Sequence, residues 1–76
     1  MGQGAVDDSK RERLLHLQRM EATEAEVYRR LAKMQEDPVN QSILEGIALE
    51  EERHEAVIAK MTGEEVKADR AKVARQ

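Results

Sequence analysis

Apolar and polar positions alternate with helical period along most of this chain. From Leu14 onward, Leu14, Leu17, Glu21, Glu24, Tyr28 and Leu31 follow at spacings of 3, 4, 3, 4 and 3. That is the a/d spacing of a helix that packs on other helices. Met20, Val27 and Met34 widen the stripe on one flank, Ala25 and Ala32 on the other. Arg19, Glu26 and Lys33 fall on the opposite, solvated face. A second stripe repeats the rhythm: Leu44, Ile47, Glu51, His54, Ile58 and Met61, again at 3, 4, 3, 4 and 3. The pattern predicts an all-α chain.

Punctuation sets the boundaries. Ser9-Lys10-Arg11-Glu12 fits a capping box, and Asp7 and Asp8 are further capping candidates. Helix 1 is expected over about 9–36. Pro38 disfavours helical geometry in the residue before it and suits the first position of a new helix, with Asp37 as its cap. Helix 2 is expected over about 38–62, with Gly63 as its stop. Residues 1–8 read as a disordered tail. Residues 63–76 are charged, with Val66 and Val73 seven apart, and read as a tail or a short third helix.

Each stripe position in helix 1 has its counterpart thirty residues later, so Glu21 and Glu24 correspond to Glu51 and His54. Folding the chain at Asp37-Pro38 into an antiparallel hairpin brings these four side chains to one height, with Glu21 level with His54 and Glu24 with Glu51. Two helices cannot enclose such a stripe. The expectation is therefore a homodimer or higher homo-oligomer, with two hairpins pairing into a four-helix bundle.

Composition narrows the chemistry. Ala, Glu, Lys, Leu and Arg supply 41 of the 76 residues, which suits long helices. Tyr28 is the only aromatic residue, and there is no cysteine, so any metal must be held by oxygen and nitrogen. The net charge of −3 has its signs interspersed and leaves no basic stripe for nucleic acid. No apolar run is long enough to cross a membrane and no signal peptide is visible, so a cytoplasmic protein is the default expectation.

Carboxylates and an imidazole on an apolar stripe must be neutralised, hydrogen-bonded or metal-bound. Glu51 and His54, three apart, share a helix face, as do Glu21 and Glu24. A dimer would gather six carboxylates and two imidazoles, a set suited to two first-row ions with open positions. Glu21, Glu51 and His54 are the candidate ligands, and Glu24 is either a further ligand, an entry site or a partner for Tyr28. His16 lies off the stripe, and the methionines read as core fillers.

Glu21-x-x-Glu24-x-x-x-Tyr28 followed by Glu51-x-x-His54 resembles the first half of a ferritin-like, rubrerythrin-type di-iron domain. Tyr28 to Lys33, Asn40, Ile43-Leu44, Ile47-Ala48 and Met61 to Lys67 are similar to the rubrerythrin-like domains of vacuolar-type iron transporters. The resemblance implies Glu21, Glu51 and His54 as iron ligands, Tyr28 as a hydrogen-bond donor near the metal, and Fe(II) oxidation by oxygen or peroxide. The full domain carries four helices and two Glu-x-x-His motifs, whereas this chain carries one motif. Two-helix encapsulated ferritins complete the site by dimerising, and the chain looks architecturally similar to them. Their cargo-targeting tail is not evident in Glu64 to Gln76, so a capsid shell is not an expected partner. An excised half of a longer domain is the alternative. Two further readings stay open: a non-catalytic helical-hairpin assembly module with buried Glu and His, and structural Zn or Mn binding.

Overall fold

The computed structural model describes residues 7–75 and has three helices: α1 (Asp8–Met34), α2 (Pro38–Thr62) and α3 (Arg70–Ala74). Helices α1 and α2 form the hairpin, and α3 packs on α1. No helix among the described residues is long and apolar enough to cross a membrane.

The caps explain the boundaries. Asp7, not Ser9, caps α1: its carboxylate accepts the Lys10 amide at 2.8 Å. Position 8, expected in a disordered tail, opens the helix; residues 1–6 of that tail lie outside the described residues. At the other end α1 stops at Met34, two residues short of expectation, with Gln35 already extended (φ −83°, ψ 134°). The exposed carbonyls there are satisfied by side chains: Gln35 donates to Leu31 O and Gln41 donates to Ala32 O, both at 3.1 Å. Asp37 caps α2 through the Val39 amide at 2.8 Å, with Pro38 opening the helix. Gly63 ends it in the left-handed conformation, φ +71°, where a side chain would be strained.

The packing corrects one expectation. The two helices meet mainly through small residues on the flank of the expected stripe. Gln18, Ala25 and Ala32, seven apart on α1, are buried; Ala48 and Thr62 on α2 are buried and Glu55 between them is half-buried. Alanines let the helices approach closely, because interaxial distance follows the size of the contacting side chains. The larger Leu, Ile and Met side chains are consequently rotated off this seam. Ile58 is buried, but Leu14, Leu31, Leu44 and Ile47 are only half-buried, and Leu17, Ile43 and Met61 are exposed, the last two at 56% and 58%. The molecule measures 53 × 23 × 14 Å. With Leu17, Met20, Ile43 and Met61 exposed, the hairpin leaves apolar surface uncovered.

A buried polar plug holds the open end of the hairpin. The Gln18 amide donates to Glu55 Oε2 at 2.9 Å and to Glu64 O at 2.7 Å, and its oxygen accepts the Thr62 hydroxyl at 2.8 Å. Arg11 donates to Thr62 O at 2.6 Å and pairs with Glu64. Beyond Gly63 the chain doubles back along α1. The Asp69 amide donates to Thr23 Oγ1 at 2.9 Å, while that hydroxyl donates to Arg19 O at 2.7 Å. Arg70 pairs with Glu26, and Val73 is buried. The charged tail thus includes the short third helix as a strap across α1.

Candidate metal centre

The ionisable layer lies midway along the uncovered face. Glu21 comes from α1, and Glu51 and His54 come from one turn of α2. One ligand atom from each lies within 4.8 Å of the other two. His54 Nδ1 is 3.4 Å from Glu51 Oε1 and 3.7 Å from Glu21 Oε1. These separations exceed those of ordinary hydrogen bonds. They are close to what a shared ion requires, since two donors each about 2.1 Å from one metal stand roughly 3–3.5 Å apart at tetrahedral or cis-octahedral angles.

Burial sharpens the case. The Glu21 and Glu51 side chains are largely covered, and Glu21 Oε1 is buried with no hydrogen-bond partner among the described residues. A buried carboxylate oxygen without a donor is costly unless a proton or a cation meets it. His54, by contrast, is 59% exposed.

The carboxyls press on one another. Glu51 is pushed above the usual carboxylate range, first by its hydrogen-bonding approach to Glu21 and then by burial. Glu24 is pushed upward by its hydrogen bond to Glu51, then by burial, with the Lys72 charge opposing the shift. Each carboxyl is thereby made a better proton holder, as expected where like charges share a site. Outside the layer the logic reverses. Arg29 grips Glu52 bidentately, at 2.9 and 2.8 Å, and holds its carboxyl below the usual range.

The structure therefore brings Glu21, Glu51 and His54 together and sets Glu24 against Glu51, in the register expected from the hairpin. Tyr28 lies one turn beyond Glu24. It lines a groove of about 260 Å³ with Thr23, Glu24, Val27, Leu31 and Lys72, and its hydroxyl makes no hydrogen bond among the described residues. Two features escaped the sequence reading. The Gln18 plug was legible as the heptads Gln18-Ala25-Ala32 and Ala48-Glu55-Thr62. Lys72, beside Glu24, had no signal, because only the fold-back of the tail places it there.

The donor set fits a first-row divalent ion. Two carboxylates and one imidazole would hold such an ion with coordination positions to spare. No family model matches the chain, and no curated protein or solved structure matches it. The likeness to rubrerythrin-type domains thus rests on the residues quoted above.

Proposed function

We propose that the chain is a ferritin-like iron protein: two hairpins pair through their uncovered faces into a four-helix bundle and bind two iron ions between them. Glu21, Glu51 and His54 of each copy hold one ion, with Glu24 at the edge of the layer. The observation that carries this reading is the convergence of those three side chains around the unpartnered Glu21 Oε1. The exposed Leu17, Ile43 and Met61 supply the apolar contact for pairing. Lining a closed bundle with six carboxylates would cost several kcal/mol per buried ion without compensating cations.

Iron enters as the substrate. Two Fe(II) ions give one electron each to dioxygen, which takes up two protons and leaves as hydrogen peroxide. With peroxide as oxidant, the same two electrons and two protons yield two waters. The carboxylates favour the Fe(III) product, and Tyr28, which lines one groove with Glu24, would serve as a hydrogen-bond donor beside the layer. The test is Fe(II) consumption under air by the whole chain. Wild type should outpace buffer at neutral pH, and Glu51→Ala and His54→Ala should fall to the buffer rate. Equal rates in all samples would refute the oxidase reading.

A second reading draws on the raised carboxyls of Glu51 and Glu24. Carboxyls that share protons can sit in a bundle without metal, which favours an assembly module in which they set pairing and register. On that reading association is indifferent to chelator, and Glu51→Leu gives a more stable dimer.

A further inference from the structure

The tail does more than close the hairpin. Asp69 is fixed to Thr23, Arg70 to Glu26, and Val73 is buried. Those three anchors set Lys72, on the turn between Arg70 and Val73, into the same groove as Glu24 and Tyr28. Arg70 is already spent on Glu26; Arg19, which lines a second groove with Lys72 and Asp69, does not line the groove that holds Glu24 and Tyr28. Lys72 makes no direct ion pair among the described residues, so its charge is free to act on the carboxylate layer. The backbone amide of Lys72 is held separately, by the Asp69 carboxylate at 3.2 Å, and does not depend on the side chain.

We propose that the strap is a built-in counter-charge for the metal layer, and that Lys72 is a positioning residue that weakens divalent-metal binding and keeps the bound ion exchangeable. The inference rests on the metal-binding reading above. Its physical basis is direct: a dication entering among Glu21, Glu24 and Glu51 is repelled by the charge of the lysine that lines the adjoining groove. The coupling is reciprocal, so metal binding must loosen the strap by the factor by which the strap weakens the metal.

The experiment uses the full chain and Mn(II), which is stable in air, in a calorimetric titration at low salt. Lys72→Arg should bind as wild type does. Lys72→Gln should bind about three- to tenfold more tightly, and Lys72→Glu about tenfold or more. In 1 M salt, where charges are screened beyond about 3 Å, the four affinities should converge. A merely structural role for Lys72 gives no such charge order and no such convergence. Amide hydrogen exchange supplies the second readout: the Asp69 amide should stay protected in all four metal-free chains and exchange faster in wild type once Mn(II) is added. Equal affinities across the series, or Asp69 protection unmoved by saturating Mn(II), overturns the role of the strap alone. Wild type that takes up no Mn(II) overturns it together with the metal reading.

Discussion

The hairpin has two seams, and they are built to opposite rules. The inner seam, Gln18, Ala25 and Ala32 against Ala48, Glu55 and Thr62, uses small residues and a closed set of hydrogen bonds. Its polar groups are satisfied inside one chain. The outer seam, Leu14 to Leu31 against Leu44 to Met61, uses large apolar residues and leaves Glu21 Oε1 without a hydrogen-bond partner among the described residues. The first seam finishes the hairpin. The second stays open, with Leu17, Ile43 and Met61 exposed. The comparison teaches that a polar group on an interface is informative through its partners: Gln18 has three, so it explains packing, whereas Glu21 lacks one, so it points to an ion or a proton.

The largest effect should come from the outer seam. Replacing a proposed ligand, as in Glu51→Ala or His54→Ala, is expected to weaken Mn(II) or Fe(II) binding by more than the roughly 10–100-fold that loss of a ligand's supporting partner costs. Titration of the folded variants checks this, and unchanged affinity would break the contrast between the seams. Next comes the inner seam. Ala48→Leu should destabilise the metal-free hairpin by about 1–3 kcal/mol through overpacking, read by urea melting. Met61→Ala on the exposed face should change the same melt by less than about 0.5 kcal/mol. Equal losses at the two positions would mean that the outer face is already covered in the metal-free state.

A smaller effect is predicted for pH. Glu51 holds its proton more tightly folded than unfolded, because of Glu21 and burial. Its contribution to stability is therefore full below the ordinary carboxyl value of 4.5 and is lost as pH rises through the raised folded value. Glu51→Gln in the presence of chelator should remove that decline, giving a stability difference from wild type that grows above pH 4.5. The smallest effect belongs to the solvated rim: Arg29→Ala, which breaks an exposed pair with Glu52, should shift the urea melt less than any variant above.

Much of this was legible in the sequence. The 3-4 spacing gave both helices, Pro38 and Gly63 gave two boundaries, and the thirty-residue offset placed Glu21 opposite His54. The inner seam was misread because alanine carries little weight in an apolar pattern, although its small size decides how closely helices approach. The α1 start was misread because three consecutive residues, Asp7, Asp8 and Ser9, can each cap, and local sequence does not choose among them. Lys72 was beyond reach, since five residues of α3 have no periodicity to read and its position depends on Asp69 finding Thr23 across 46 residues of chain.

The central claim is that the outer seam is completed by metal and a second copy together. Native mass spectrometry of the whole chain, with Fe(II) under anaerobic conditions and with chelator, tests it most directly. The account predicts a dimer carrying two iron ions at neutral pH, and loss of that species in His54→Ala. A chain that stays monomeric with Fe(II), or a dimer that takes up no iron, would contradict it.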